Sequence, residues 1–394
     1  MTGSLKGGCL RSCLEVLLVL LLSHHGCAAA ATRVGYYQSS CPSAEDIVKQ
    51  AVEARFAMNR TITGGLLRMF FHDCFVTGCD ASLLIDSTPG NEAEKDAPPN
   101  LTVREFELID NIKTRLEAVC PGVVSCADII ALAVRDAVVL AGGPKYAVKT
   151  GRLDGKLSRS ADANILPSPA STVQQAMAAF ASQGLSLTDL VALMGSHTTG
   201  FAHCSFFRDR VFNFEGNGTS DPKMDTDLAE HLRSVCSDPA DGGSTKDASV
   251  ALDQGTRDAF DASYFAQVRN GHGILQIDNA LLADARTSAL VDRFSSNPSA
   301  FFQAFVQSIT TMGDLHIKTE ADGELVTQTA DSTTEGFSSY TQFRASRVSA
   351  ALLPTIYTNL SSRHIPRKEK LVSYGKHEVI AHKQAVISCT QSYM

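Results

Sequence analysis

The stretch that decides the fold spans residues 66–82 and reads LLRMFFHDCFVTGCDAS, an apolar run that turns abruptly polar. Arg68 and His72 are four residues apart, so on a helix they share one face. Cys74 and Cys79 enclose a short loop that is flanked by acidic and hydroxyl side chains. A base, a cation, aromatic rings and hard oxygen atoms together are more chemistry than a buried helix needs. The stretch therefore predicts a functional site.

Length and composition place the chain among ordinary globular proteins. Its 394 residues suffice for one large or two ordinary domains, and 44% hydrophobic with 20% charged residues allow a sizeable core. The formal net charge of −7 argues against a nucleic-acid partner, which usually needs a basic face. The chain contains no tryptophan, so an indole cannot serve as a redox or stacking partner.

The first 31 residues have the pattern of a secretory signal peptide. Lys6 and Arg11 precede an apolar run at 16–22, and small residues follow at 26–31. The apolar run is too short to cross a bilayer, which favours a cleaved signal over a membrane anchor. We therefore expect a secreted protein that has no membrane association after cleavage.

Cysteine usage agrees with secretion. Of eleven cysteines, eight remain after removal of a signal that contains Cys9, Cys13 and Cys27. An even number in a secreted chain predicts disulfides, but eight cysteines allow roughly a hundred pairings. Local reasoning favours one of them, Cys74–Cys79, through its short glycine-containing loop.

Helical periodicity dominates the rest of the chain. Apolar residues recur at helical spacing, and proline, glycine and polar clusters separate the segments. Ser43 with Asp46 predicts a capping box at the first helix, and the clearest strand-like piece is Tyr146–Val148. The prediction is a mainly α fold with minor β pieces. One helix lies in the opening stretch, and the others lie near 47–58, 106–119, 129–140, 172–183, 186–197, 227–235, 260–267 and 298–312.

A second histidine, His197, stands in a matching setting. Residues 190–200 read LVALMGSHTTG, in which apolar residues precede the histidine and small residues surround it. This pattern leaves room for a flat cofactor against the imidazole. A lone helical histidine is more often an ordinary core or surface residue. The interpretation of His72 and His197 as functional residues therefore depends on the presence of both motifs, with the His72 motif first in the chain.

Together the two stretches resemble the distal and proximal histidine motifs of the secreted plant haem peroxidases, class III of the plant peroxidase superfamily. The resemblance runs from about Tyr36 to Leu325. It implies a two-lobed, mainly α domain at 32–325. One haem b would lie between a distal lobe, about 32–170, and a proximal lobe, about 171–325.

On the proximal side the resemblance implies that His197 is the axial ligand of the haem iron, a usual role of histidine in peroxidases. Its partner would be Asp278, because a ligating histidine normally donates its other N–H to a carboxylate. An aspartate after an apolar run is otherwise commonly a turn or cap residue.

On the distal side the resemblance implies a peroxide-cleaving set. His72 would take a proton from one peroxide oxygen and deliver it to the other. Arg68 would stabilise the developing charge, and Phe71 would direct reductants to the haem edge. Asn100, backed by Glu94, would hold the other N–H of His72 so that the base stays neutral.

Two calcium sites are also implied, since calcium prefers hard oxygen ligands. The first would use Asp73, Asp80 and Ser82 with the carbonyls of Val76 and Gly78. The second would use Thr198, Asp253, Thr256 and Asp261 with the carbonyl of Ala259. Near this second set the family usually has Thr-Pro and Phe-Asp-Asn, whereas this chain has Arg257 and Ala262. A solvated turn is the alternative for such an acidic loop.

The resemblance further implies the bridges Cys41–Cys120 and Cys204–Cys236, with Cys126 pairing to the C-terminal region, where Cys389 stands. The Pro167 carbonyl would meet aromatic donors at the exposed haem edge, with Phe206 as a candidate neighbour. An ordinary proline-rich loop is the alternative there.

Four glycosylation sequons begin at Asn59, Asn100, Asn217 and Asn359. A glycan on Asn100 would exclude its hydrogen-bonding role, so we expect none there. Asn217 has the most loop-like context.

Residues 326–394 have another character. They are rich in serine and threonine at first and then basic, with no pattern of the family. We expect little stable structure in this tail. It could be read-through of non-coding sequence, an alternative splice product or a real extension.

The function implied is that of a monomeric, extracellular or cell-wall peroxidase. It would reduce hydrogen peroxide and oxidise small phenolic reductants by one-electron steps, in oxidative-stress response and cell-wall phenolic chemistry. One alternative is a haem-binding extracellular protein with little turnover because of the tail. Another is a zinc hydrolase that uses His72, Cys74 or His197, although no zinc spacing such as His-Glu-x-x-His occurs.

Overall fold

Helices provide nearly all of the regular structure in the computed structural model, which describes residues 32–236, 247–318 and 320–326. The prediction of a mainly α fold with short β pieces is confirmed. In chain order the described α-helices are α1 (Ala44–Met58), α2 (Ile62–Val76), α3 (Phe106–Val119), α4 (Cys126–Leu140), α5 (Val173–Ser182), α6 (Leu187–Met194), α7 (Arg208–Phe212), α8 (Thr226–Val235), α9 (Ser263–Arg269), α10 (Gln276–Ala283), α11 (Ala285–Ser296) and α12 (Pro298–Met312).

The strands in the described residues form three small antiparallel ribbons. They pair β1 (Arg33–Val34) with β2 (Lys149–Thr150), β3 (Asp154–Gly155) with β6 (Gly323–Glu324), and β4 (Phe201–His203) with β5 (Ser249–Ala251). The predicted strand at Tyr146–Val148 is wrong, because pairing begins at Lys149, where the chain meets Val34. Each ribbon joins segments that are far apart in sequence, so local alternation does not reveal it.

The core is built around α4, which is buried on nearly all sides, as its apolar sequence predicts. It packs against α1 and α2, while α12 packs against α6 and α2. Full burial of a large apolar side chain contributes about 1.5–3 kcal/mol. Such packing holds α2, which carries the opening stretch, in one position.

Two helix ends differ from prediction. Ser43 precedes α1 but makes no side-chain cap, because its backbone (φ −89°, ψ 0°) lacks the extended conformation that a capping side chain needs. The helix that begins with the Ser186–Asp189 capping box ends at Met194 and tightens into a 3-10 helix at Gly195–Thr198. A Cβ added to Gly195 would lie 2.3 Å from a ring carbon of Phe301, so this turn lies directly against α12.

Three predicted bridges are present: Cys41–Cys120, Cys74–Cys79 and Cys204–Cys236. The signal at 1–31, Asn359 and Cys389, and the tail after Val326 lie outside the described residues, so the pairing of Cys126 with Cys389 stays a prediction. No single described helix is long and apolar enough to cross a membrane. The pair Val173–Ser182 and Leu187–Thr198, bent by 111°, meets the length and composition criteria only together.

Candidate active site

A cavity of about 440 Å³ contains both motif histidines in its lining. Its walls come from α2, α5, α6 and α12, from one residue of α10, and from the loops and short strands between the helices, and most of the lining is apolar. The volume falls within the range of small-molecule and cofactor sites, roughly 300–1,000 Å³.

Arg68, Phe71 and His72 line the cavity from α2, since their spacing of three and four residues places them on one face. Arg68 Nε donates to His72 Nε2 at 3.3 Å, and Arg68 Nη2 donates to the carbonyl of Pro99 at 2.8 Å. Its guanidinium carbon lies 5.5 Å from the ring centroid of Phe206. Burial and the charge of Arg104 lower the pKa of Arg68 to about 10, so the side chain remains cationic at neutral pH.

The hydrogen bonds around His72 define its tautomer. Its Nδ1 is 2.5 Å from Asn100 Oδ1, and Asn100 Nδ2 donates to the backbone carbonyl of Glu94 at 2.7 Å. Because the amide is oriented by Glu94, the His72 proton belongs on Nδ1, and Nε2 is left as an acceptor. Burial and the Arg68 charge lower the pKa of His72 to about 3. The imidazole is therefore a neutral base.

Glu94 supports Asn100 through its backbone carbonyl, a contact that the side-chain pattern did not reveal. The Glu94 carboxyl is itself fully buried, and burial together with the charge of Asp80 raises its pKa to about 8. Asn100 is also buried, with an exposed fraction of 1%.

The second motif histidine, His197, lies on the 3-10 helix after α6 and lines the cavity. His197 Nδ1 is 2.8 Å from Asp278 Oδ1, so the imidazole proton belongs on Nδ1. The other ring nitrogen, Nε2, has no contact with Asp278. The Asp278 carboxylate is buried at the start of α10, where its Oδ2 accepts from the backbone N–H of Leu275 at 2.9 Å. Tyr264 donates its hydroxyl to the same Oδ1 at 2.9 Å.

Tyr264 was not predicted. Its only signal in the sequence is a tyrosine within an apolar segment, and buried tyrosines usually find a partner for the hydroxyl.

The two motif stretches touch at a pair of glycines. A Cβ added to Gly64 of α2 would lie 2.5 Å from the Cα of Gly200, three residues after His197. Such an approach leaves no space for any side chain at position 64. The backbone of the distal helix thus lies directly against the turn that follows the proximal histidine.

We expect Gly64→Ala to lower the free energy of unfolding by about 1–3 kcal/mol, the usual cost of overpacking a tight contact. The neighbouring Gly65→Ala is a matched control. Its Cβ would meet the movable Cγ of Glu105 at 3.0 Å and not a backbone atom. Denaturant unfolding of both variants measures the difference. Equal stabilities would show that the Gly64–Gly200 approach is not a constraint.

The side chains of the first predicted calcium set lie at the end of α2, which carries Asp73, and in the loop after it, which carries Asp80 and Ser82. Asp73 is fully buried, and neither carboxylate oxygen has a hydrogen-bond partner in the described structure. Burial and the charge of Asp80 raise the pKa of Asp73 well above its usual range. Ser82 N donates to Asp80 Oδ1 at 3.1 Å, and the Ser82 and Thr77 hydroxyls are 3.0 Å apart. An unpartnered buried carboxylate among oxygen donors fits a hard cation.

Residues 313–318, which we call the strap, cover this loop and were not predicted. The Lys318 ammonium is 3.0 Å from Asp80 Oδ2 and donates to the carbonyl of Thr77 at 2.8 Å. A Cβ added to Gly78 would lie 2.6 Å from the carbonyl oxygen of His316, so the backbones are in contact. The strap thus supplies a positive charge to the acidic loop.

The second predicted set also converges. The Thr198 hydroxyl is 3.0 Å from Asp261 Oδ1 and 3.4 Å from Asp253 Oδ2. The Thr256 hydroxyl is 3.4 Å from Asp253 Oδ2, and Ala259 N donates to the Thr256 carbonyl at 2.8 Å. Thr198 directly follows His197 in sequence, so a cation held by this set would brace the proximal turn.

Pro167 and Phe206 are the residues expected at the donor-binding edge. Pro167 and Phe206 both line the cavity. Of the other sequons, Asn217 is exposed, whereas Asn59 Oδ1 accepts from the Thr61 backbone N–H at 3.0 Å and from its hydroxyl at 2.8 Å.

The structure does not support the alternative of a zinc hydrolase that uses Cys74 as a ligand. The Cys74 sulfur is bonded to Cys79, and no group of three or more His, Cys, Asp or Glu side chains among the residues described could hold a metal ion.

Comparison with known proteins decides the family. The family model described as "Peroxidase" matches residues 48–297, more than half of the chain. The chain belongs to the peroxidase family. This peroxidase is 47% identical to Peroxidase 57 of Arabidopsis thaliana over 298 residues, which is 76% of this chain and 91% of the relative. It is 44% identical to Peroxidase N1 of Nicotiana tabacum over 314 residues, 79% of this chain and 93% of the relative.

These relatives confirm the resemblance to plant class III peroxidases. This peroxidase is an oxidoreductase that reduces hydrogen peroxide, and its family implies haem and usually calcium. Because the similar proteins are named peroxidases, they do not favour the alternative of a haem-binding protein without turnover.

Proposed function

We propose that this peroxidase is a secreted, monomeric enzyme that holds one haem b in the cavity and oxidises small phenolic donors by one-electron steps. The observation that carries this proposal is the composition of the cavity wall. It combines a neutral histidine beside a guanidinium with a second histidine whose Nδ1 is bonded to a buried carboxylate.

The wall fits a haem group. The lining is mostly apolar, and His197 retains one ring nitrogen, Nε2, that Asp278 does not engage. Bound haem would supply an iron centre that accepts electrons from donors and passes them to peroxide. Asp278 would raise the basicity of His197 and fix its ring orientation, as carboxylate partners do for ligating histidines.

The distal residues perform the proton chemistry. His72 Nε2, which carries no proton, takes a proton from one oxygen of hydrogen peroxide and returns it to the other oxygen, which leaves as water. The electrons for cleavage of the O–O bond would come through the haem iron. Arg68 stabilises the charge that develops on that oxygen. Asn100 keeps the His72 proton on Nδ1, which leaves the reacting nitrogen unprotonated.

Donors would approach along the edge that contains Pro167 and Phe206, with the Pro167 carbonyl as hydrogen-bond acceptor for a phenol. Phe71 lies beside His72 in the wall, where it would keep bulky donors from the peroxide pocket. This arrangement suits small phenolic reductants.

We further propose two calcium ions, bound by the acidic loop after α2 and by the cluster around Asp253. Residues 1–31 would direct secretion to the extracellular space or cell wall. Residues 32–325 would form the catalytic domain, with lobes at about 32–170 and 171–325.

The test is peroxide-dependent oxidation of a phenol by the purified, haem-loaded chain, made with and without residues 326–394. We expect activity in the protein that lacks the tail, and none when peroxide is omitted. A protein with a normal haem spectrum but no phenol oxidation in either form would contradict the proposal and favour the haem-binding alternative.

A further inference from the structure

One oxygen of Asp278 serves two donors at once. Its Oδ1 lies 2.8 Å from His197 Nδ1 and 2.9 Å from the hydroxyl oxygen of Tyr264. Both Asp278 and Tyr264 have an exposed fraction of 1%, so water does not compete for these bonds. The other oxygen, Oδ2, is engaged by the backbone N–H of Leu275 at 2.9 Å. The strength of each bond at Oδ1 therefore depends on the other.

Tyr264 is held in position for this role. It lies on α9, and its ring meets the imidazole of His197 edge-on, with 5.8 Å between centroids and 89° between planes. The Tyr264 hydroxyl is the donor in its bond to Asp278, because a carboxylate oxygen accepts. The contact between Tyr264 and Asp278 is thus a hydrogen bond from a neutral phenol to a carboxylate.

We propose that Tyr264 is a positioning residue that weakens the His197–Asp278 hydrogen bond and thereby raises the reduction potential of the iron that His197 would hold. This inference rests on the proposed haem-binding role of His197. A carboxylate oxygen that accepts two hydrogen bonds offers less negative charge to each donor. With Tyr264 present, the His197 imidazole keeps more neutral character and donates less electron density. Hydrogen bonding to an axial ligand is one of the levers by which a protein sets haem potential.

The test is Tyr264→Phe in the haem-loaded enzyme, because phenylalanine keeps the ring and removes only the donor. We expect a lower ferric–ferrous potential and a higher iron–histidine stretching frequency than in the wild type. Tyr146→Phe is the matched control. The Tyr146 hydroxyl is also buried, but it has no hydrogen-bond partner in the described residues. An unchanged or raised potential in Tyr264→Phe, relative to this control, would overturn the proposal.

A second substitution changes the same bond in the opposite direction. Site-specific 3-fluorotyrosine at position 264 makes the phenol a stronger donor, so the potential must rise. This replacement keeps every contact of the native side chain, so it decides the question even where Tyr264→Phe does not fold. A shift in the same direction as Tyr264→Phe would contradict the proposal.

The coupling to Asp278 is tested in a double variant. Removing the Tyr264 hydroxyl in an Asp278→Asn background should change the potential less than it does in the wild type, since the carboxylate that carries the effect is gone. An equal change would show that Tyr264 acts by another route.

The readouts do not depend on turnover. An unchanged potential with intact phenol oxidation contradicts the role of Tyr264 alone. Lost phenol oxidation with the expected shift contradicts the proposed function alone. A chain that binds no haem contradicts both.

Discussion

His72→Ala should slow the reaction with hydrogen peroxide by about 10²–10⁴-fold, the usual contribution of a positioned general acid–base. The structure leaves His72 Nε2 as an acceptor beside Arg68, with the ring proton engaged by Asn100. An alanine removes the one α2 side chain in the cavity wall that can both take and return the proton. Stopped-flow mixing of the haem-loaded protein with peroxide measures the rate.

The control for this variant is another histidine that lies away from the cavity. His231 is exposed on α8, so His231→Ala should react at the wild-type rate. Haem content per protein must be equal in all three samples, because a loss of haem would imitate a loss of proton transfer. A wild-type rate in His72→Ala with full haem content would show that the assigned base is wrong.

Calcium should raise the free energy of unfolding. Asp73→Asn should remove the part of this stabilisation that comes from calcium bound at the first proposed site. A ligand at about 1,000 times its Kd stabilises a folded protein by about 4.1 kcal/mol. Both carboxylate oxygens of Asp73 are buried without a hydrogen-bond partner in the described residues, and the charge of Asp80 acts on them. Without a cation this cluster is costly, and with one it becomes a source of stability.

The diagnostic quantity is the difference between unfolding in calcium and unfolding in a chelator. Asp73→Asn preserves the shape of the side chain while removing one negative charge, so only the calcium-dependent difference should shrink. Asp227 is an exposed acid on α8, and Asp227→Asn should leave that difference unchanged. An Asp73→Asn protein that gains as much from calcium as the wild type does would exclude Asp73 as a ligand.

Helices with local signals could be predicted closely. The predicted bounds of α3 and α12 agree with Phe106–Val119 and Pro298–Met312, because both are amphipathic and the latter begins at a proline. In contrast, α10 and α11 were missed. They meet at Asp284 without a glycine or proline between them, and α11 is mostly polar, so its helix depends on packing against α9, α10 and α12.

Segments held by distant contacts were also misplaced. The helix predicted at 260–267 begins at Ser263, because Phe260 is instead anchored by a backbone bond to the Ala141 carbonyl at 2.8 Å. The short helix α7, Arg208–Phe212, was not predicted. There the buried Arg210 pairs with Asp221 at 2.8 Å and donates to carbonyls of residues 273–275. The sequence near Arg210 gives no indication of these long-range bonds.

The site divides in the same way. His72, Arg68 and His197 could be proposed from spacing and neighbours, whereas Asn100 and Asp278 required the family resemblance. Tyr264 required the structure, since a tyrosine on one helix and an aspartate on the next give no common pattern in the sequence.

The strap also has a consequence for the order of biosynthesis. Lys318 lies 241 residues after Thr77, whose carbonyl it binds. Chains leave the ribosome N-terminus first, so the acidic loop emerges long before the segment that covers it. Until the last helix docks, the carboxylates of this loop are open to metal ions from the surrounding compartment. The cation proposed for this loop would therefore bind during synthesis, before residues 313–318 dock over the loop and cover it.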